Sequence, residues 1–273
     1  MLACPTKLDP RRIILLETVE SEAENVKSVT FRDNLCSKAN PGQYVMLWIM
    51  GVGEIPMTLS RIGPNDSCGV LVERVGEATE AIHKLSIGQT LGVRGPYGNC
   101  FSLVKDHALL VAGGMGIAPL LPLAKALKNH GTGVDLAYGA KTAIEFCGLR
   151  QAKEVAEVDN LKIATDDGSL GAKGFVTSLL HPMLKENDYD MVYCCGPEPM
   201  MKQVFLITER YGLSLQASME RIIKCSVGLC GSCMIGKYRV CKDGLVLTSE
   251  QLREVADEFG VYRRGFDGRR MFY

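Results

Sequence analysis

Residues 107–131 read HALLVAGGMGIAPLLPLAKALKNHG: a short run apolar on both faces, a cluster of glycines, then a helical pattern closed by Gly131. A strand apolar on both faces needs cover on both sides, which a parallel sheet with crossover helices supplies. The window Ala108 to Ala124 approaches membrane-spanning length, but three glycines and two prolines interrupt it, so a soluble strand, turn and helix fits better. Further short apolar runs follow in GVDLAYGAK, LKIATDDG and YDMVYCCGP, with helical stretches such as EPMMKQVFLITERYG between them. Strands alternating with helices mean βαβ units and a parallel sheet.

The first hundred residues have another texture. RRIILLETV, NVKSVTFRD, GQYVMLWIM, GVLVERVG and GQTLGVRGPYG are β-rich runs separated by turn signals, the spacing of an antiparallel sandwich or barrel. With 273 residues the chain has material for more than one compact unit. The texture divides it into an antiparallel β-barrel at 1–103, a parallel α/β unit at 104–217 and a small cysteine-bearing unit with a charged tail at 218–273. Lysine plus arginine and aspartate plus glutamate number 31 each, so no net field would draw the chain to nucleic acid or an anionic membrane. The N-terminus lacks the basic and apolar pattern of a secretion signal, and a cytoplasmic location is expected.

Eleven cysteines in a reducing compartment do not read as a disulfide framework. Cys4, Cys36, Cys68, Cys100, Cys147 and Cys194 are scattered and expected to be small structural hydrophobes. The segment KCSVGLCGSCMIGKYRVC differs, with Cys225, Cys230, Cys233 and Cys241 within eighteen residues. Converging sulfurs need a loop that can curl, which Gly228 and Gly231 permit. The spacing C-x4-C-x2-C with a fourth cysteine beyond matches the plant-type [2Fe–2S] pattern. Structural zinc on the same four cysteines is the rival, although zinc sites more often use two C-x2-C knuckles and only Cys230 and Cys233 form one.

In the glycine turn, Gly113, Gly114 and Gly116 stand between a buried strand and a helix with Pro119 in its first turn. Such a turn lets backbone N–H groups meet a pyrophosphate at the positive end of a helix. Its G-x-G-x-x-P form departs from the standard dinucleotide fingerprint, and alone an ordinary strand-to-helix turn explains it. Cys195, Gly196 and Pro197 close a later strand, at the sheet edge where ligands collect. The histidines His83, His107, His130 and His181 show no partner spacing, and no role is assigned to them.

PGQY, GPYG, GGMGIAP and CGPEPMM, in this order, resemble the ferredoxin–NADP reductase superfamily. SMERIIKCSVGLCGSC followed by RVCKDG narrows the resemblance to the electron-transfer subunits of dihydroorotate dehydrogenase type B, in their archaeal form. The resemblance implies FAD in the barrel, NAD in the α/β unit and a [2Fe–2S] cluster on Cys225, Cys230, Cys233 and Cys241. It implies a partner too, an FMN-containing catalytic subunit in a heterotetramer of two chains of each kind. Electrons from dihydroorotate would pass from FMN through the cluster and FAD to NAD+, with no dihydroorotate site in this chain.

For FAD the resemblance assigns Pro56, Met57, Thr58, Leu59 and Ser60, with Val72, Glu73, Gly76, Ala78 and Thr79. Ile55 stands where the family carries the arginine that faces the pyrophosphate, and Arg61 or Arg74 is the expected substitute. Thr79 and the helix N-terminus are expected to hold phosphate. For NAD it assigns Gly113, Gly114, Gly116, Pro119 and Gly139 to the dinucleotide, and Cys195, Gly196 and Pro197 to the nicotinamide side. Lys141 in YGAKT leaves room for a 2′-phosphate. Two alternatives stay open: the reductase subunit of a sulfide dehydrogenase, ferredoxin-dependent transhydrogenase or hydrogenase, and a zinc-stapled nucleotide-binding sensor or scaffold.

Overall fold

The computed structural model describes residues 10–155 and 161–273, so Cys4 lies outside the described residues. Six strands, β1 (Arg12–Ala23), β2 (Val26–Arg32), β3 (Tyr44–Ile49), β4 (Gly53–Ile62), β5 (Ser67–Glu73) and β6 (Thr90–Tyr97), close into an antiparallel barrel in the order β1-β2-β5-β4-β3-β6. On β1 the strand period of two is plain: Ile14 and Leu16 are buried while Ile13 and Leu15 are each 60% exposed. Strand β3 breaks that alternation, and the reason is its outer face. Val45, Leu47 and Ile49 fill the barrel, whereas Tyr44 and Met46 belong to a different core shared with the rest of the molecule. After β5, a short helix α1 (Glu77–His83) sends Ile82 into the barrel core.

The α/β unit runs β7 (His107–Gly113), α2 (Ile117–Asn129), β8 (Gly133–Ala140), α3 (Leu149–Val155), β9 (Leu161–Thr165), β10 (Ala172–Lys173), α4 (Leu180–Glu186), β11 (Met191–Cys195), α5 (Glu198–Arg210) and β12 (Leu215–Ser218). Their strands are parallel in the order β10-β9-β8-β7-β11-β12. Helix α2 ends where the sequence places it, with Gly131 in the left-handed region at φ +87°.

The remaining chain forms the hairpin β13 (Met234–Ile235) and β14 (Tyr238–Arg239), helix α6 (Val240–Asp243), strand β15 (Val246–Thr248), helix α7 (Ser249–Glu254) and a terminal hairpin β16 (Tyr262–Arg264) and β17 (Arg270–Phe272). Strand β15 adds antiparallel to β12, pairing Gln216 with Thr248 and Ser218 with Val246. The boundary expected near residue 217 therefore falls inside a shared sheet, and the sheet is mixed at this edge. A free β12 would expose a row of unpaired backbone groups, which β15 covers. The barrel holds β15 too, because the Asn99 side chain donates to Val246 O at 2.7 Å and accepts from Val246 N at 2.9 Å.

Candidate functional site

Strand β7 lies between β8 and β11, so the chain leaves it in one direction and returns on its other side. The crevice at such a switch point, beyond the carboxyl ends of the strands, is where open α/β sheets bind ligands. Ala112 is paired with Cys195, so the Gly114 turn and the Cys195–Pro197 turn emerge side by side. The glycines there have different reasons. A Cβ on Gly113 would meet Met200 Sδ at 2.5 Å, and one on Gly116 would meet the Cys195 carbonyl oxygen at 2.0 Å, so both make room for packing. Gly114 has φ +51° and nothing within 4 Å of a Cβ, which leaves its backbone open to a ligand. Tyr138 Oη, 3.2 Å from Gly114 O and 2.9 Å from Cys147 O, anchors the turn from below.

Pro119 is buried in the first turn of α2, and Gly139 is bare because a Cβ would meet Val176 at 2.7 Å. The missing side chain of Gly139 thus makes room for Val176. Burial, and then the charge of Glu220, push the Cys195 thiol up to about 12, so a neutral thiol stands at the strand end. Beyond β8, Lys141 is exposed, Thr142 Oγ1 is buried without a partner, and Asp167 N donates to Lys141 O at 3.3 Å.

Helix α2, which follows the glycine turn, packs against β4 of the barrel. Along β4, Pro56, Thr58 and Ser60 are half-buried, a strip that a flat ring can cover, while Met57 packs against the barrel core and Leu59 is buried in it, so these two offer mainly backbone. Val72 is equally buried there, and Glu73, Gly76 and half-buried Ala78 follow at the surface. Thr79 differs from expectation. Its Oγ1 accepts from Val75 N at 2.9 Å and Gly76 N at 3.0 Å and donates to Gly76 O, so the hydroxyl is spent on capping α1. What the turn offers a phosphate is the backbone N–H groups of the first helical turn. Of the two candidate arginines, Arg74 is engaged by Asn25 and Glu80, whereas Arg61 is exposed with no hydrogen bond or ion pair among the described residues.

The cysteine segment wraps as a loop through Ser226, Gly228 and Gly231, all at positive φ, followed by the β13–β14 hairpin and α6. That hairpin accounts for the seven residues between Cys233 and Cys241. Cys233 and Cys241 are buried, Cys225 is half-buried and Cys230 is exposed. Backbone N–H groups point at sulfur: Leu229 N donates to Cys225 Sγ at 3.3 Å and Cys241 N to Cys233 Sγ at 3.4 Å. Burial opposes ionisation of Cys225, but the N–H groups of Cys230, Val227 and Leu229 outweigh it and bring the thiol to about 6. Cys241 moves the other way, to about 12, through burial, a hydrogen bond with Cys233 and its charge. Cys225 thus interacts with Cys230, and Cys241 with Cys233 and with the charge of Cys225. Among the described residues no group of three or more His, Cys, Asp or Glu is already gathered as a metal site. A donor set of four thiols with N–H groups directed at sulfur fits an iron–sulfur cluster, whose cationic irons would offset the repulsion among the thiolates.

Two connections here carry no sequence motif. Tyr44 is 1% exposed; its Cα is paired with that of Thr58, and its Oη donates to Cys241 O at 3.2 Å. Burial holds its phenol above the usual range. The available signal was a tyrosine in an apolar run, since a buried phenol requires a partner. Second, Glu198, at the start of α5, forms a buried ion pair with Arg221 and accepts from Gly260 N and from Tyr273 Oη. It ties the Cys195–Pro197 turn to the cysteine segment and the tail. Of the scattered cysteines, Cys36, Cys68, Cys147 and Cys194 are buried as expected, but Cys100 is exposed and packs in no core.

Residues 110–205 match the family described as oxidoreductase NAD-binding domain, and residues 220–253 match the iron–sulfur cluster binding domain of dihydroorotate dehydrogenase B. A protein of Methanothermobacter thermautotrophicus named probable dihydroorotate dehydrogenase B (NAD(+)), electron transfer subunit, is 42% identical over 262 residues, which cover 95% of this chain and 96% of that protein. The protein of the same name from Thermoplasma acidophilum is 38% identical over 95% of this chain and 97% of its own length. Among solved structures, an NADH-dependent reduced ferredoxin–NADP oxidoreductase studied for flavin-based electron bifurcation superposes with a TM-score of 0.80 at 29% identity, covering 92% of this chain and 94% of that one.

Proposed function

The chain belongs to the family of electron-transfer subunits of NAD-linked dihydroorotate dehydrogenase B, and from that premise we propose how its residues divide the work. The protein is an oxidoreductase subunit with FAD, a [2Fe–2S] cluster and NAD as cofactors, acting in pyrimidine biosynthesis beside a catalytic subunit. An iron–sulfur cluster moves single electrons, nicotinamide accepts a hydride, and flavin does both, which is why the chain needs all three.

The observation that carries this reading is a single core. Barrel residues Tyr44 and Met46, the α/β residue Cys194, and Cys233 and Cys241 pack in one hydrophobic cluster, so the barrel, the parallel sheet and the cysteine loop share a core. In our assignment β4 from Pro56 to Ser60 lies along the flavin ring. Val72, Glu73, Gly76, Ala78 and Thr79 shape the turn at its phosphates, and Arg61 supplies the cation that Ile55 lacks. Gly114 presents its backbone to the dinucleotide phosphates, held by Gly113, Gly116, Pro119 and Gly139 in their packing roles. Cys195, Gly196 and Pro197 line the nicotinamide side, where the neutral Cys195 thiol adds no charge to oppose hydride arrival. Cys225, Cys230, Cys233 and Cys241 ligate the cluster.

The partner contacts the cluster side. Leu229 is 85% exposed and Phe266 78%, beside a cleft of about 280 Å³ lined by Cys230, Ser232 and Arg264. Apolar groups so exposed around a ligand cysteine suit burial under another protein. In this proposal the partner carries FMN, the assembly holds two chains of each kind, and it works in the cytoplasm; no helix among the described residues is long and apolar enough to cross a membrane. An anaerobic pull-down with cofactor analysis tests it. Equal amounts of the two chains with FMN, FAD and about two irons per cluster are expected, and co-purification at no fixed ratio, or zinc in place of iron, contradicts it.

A further inference from the structure

Tyr44 occupies a place that neither cofactor motif explains. It is paired with Thr58 on the strand assigned to the flavin ring, yet its side chain leaves the barrel and enters the core that contains Cys233 and Cys241. Met46 is the other residue of strand β3 in that core, and it has no polar group to offer. Tyr44 therefore makes the polar contact of strand β3 with a cysteine of the segment, through Oη to the Cys241 carbonyl at 3.2 Å. Its ring is fixed on one side by Tyr97, with centroids 5.5 Å apart, and a Cβ on Gly98 would stand 3.4 Å from its Cε1.

Electron transfer through protein slows steeply as carriers separate, so a residue that fixes their spacing fixes the rate. Hydrogen bonds and burial around the sulfur ligands also set an iron–sulfur cluster's potential. An O–H whose positive end faces the Cys241 backbone offsets part of the negative charge that reduction adds there. Resting on the assignment of FAD to β4 and the cluster to Cys225–Cys241, we propose that Tyr44 is a positioning residue between the two. It holds the Cys241 limb of the cluster at a set distance from the flavin strand, and its hydroxyl raises the cluster's reduction potential.

The test uses the full chain assembled with its catalytic subunit and compares wild type with Tyr44→Phe, which removes one oxygen and keeps the ring. Redox titration followed by electron paramagnetic resonance gives the cluster potential, and rapid mixing with dihydroorotate gives the rate at which the flavin of this chain is reduced. The variant is expected to keep FAD and iron at wild-type content, to show a more negative cluster potential, and to reduce its flavin more slowly. Tyr97→Phe, which removes the hydroxyl that accepts from Arg94 Nη1 at 3.1 Å and keeps the ring beside Tyr44, is expected to keep the wild-type potential. An unchanged potential and rate in Tyr44→Phe, or an equal shift in Tyr97→Phe, overturns the proposal. So does loss of FAD and cluster together, which would make the contact one of packing alone. A wild-type protein without a [2Fe–2S] signal would instead sink the reading on which the proposal rests.

Discussion

Gly116 and Cys195 meet through backbone alone: a Cβ on Gly116 would stand 2.0 Å from the Cys195 carbonyl oxygen and 2.6 Å from Gly196 N. The two turns that bound the nucleotide crevice are thus packed against each other without room for a methyl group. Gly116→Ala must push them apart. It is expected to cost about 1–3 kcal/mol of stability, as overpacking does, and to raise the KM for NADH, while the cluster's paramagnetic signal stays as in wild type. Steady-state dye reduction by NADH checks it, and an unaltered KM would show that the contact does not shape the site.

Arg61 should matter for FAD and Arg74 should not. Arg74 is already held by Asn25 and Glu80, whereas Arg61 is free on the flavin strand. A hydrogen bond to a charged group is worth about 1.5–3 kcal/mol, so Arg61→Ala is expected to weaken FAD binding roughly ten- to hundredfold, with Arg74→Ala near wild type. Titration of apoprotein with FAD, followed by flavin fluorescence, separates the two.

The Glu198–Arg221 pair is buried on both sides, with side chains 3% and 1% exposed. Removing one partner leaves a charge that the protein interior cannot solvate, a loss of about 3–5 kcal/mol. Arg221→Ala is expected to show that loss in urea unfolding. Because Glu198 also accepts from Tyr273, the tail hairpin is expected to become sensitive to protease in the same variant.

Acid should loosen the barrel through Asp33. Burial works against ionisation of its carboxyl, but hydrogen bonds from Arg12 and from Cys36 N overcome it and hold the carboxyl below its usual range. A group with a depressed folded pKa contributes stability that is fully present above its unfolded pKa, about 3.9, and lost as pH falls through the folded value. Urea midpoints are expected to fall as pH drops below about 4, and Asp33→Asn should flatten that slope. An equal slope in the variant would assign the effect to other carboxylates.

Much of the fold was legible in the chain because each unit writes its period plainly. The run from His107 to Gly131 is apolar on both faces, glycine-broken and then helical, and it folds as β7, the turn and α2. What was not legible depended on neighbours distant in sequence. Strand β15 is only three residues long and exists because β12 offers a free edge. The packing reason for Gly139 is visible only once Val176 is seen against it, and the capping role of the Thr79 hydroxyl only once it is seen turned to its own backbone. Tyr44 carried a weak clue, since YVMLWI fails to alternate and so must be covered on its outer side as well.

The central claim is that the cysteine loop connects the partner to a flavin and nicotinamide reductase that can work without it. The measurement that tests it most directly is anaerobic formation of NADH from dihydroorotate and NAD+ by the assembled complex, in wild type and Cys230→Ser. The same preparations are assayed for NADH oxidation by an artificial dye. The account predicts that Cys230→Ser loses the cluster signal and NADH formation while dye reduction persists. Equal loss of both activities, or NADH formation surviving without the cluster, would contradict it.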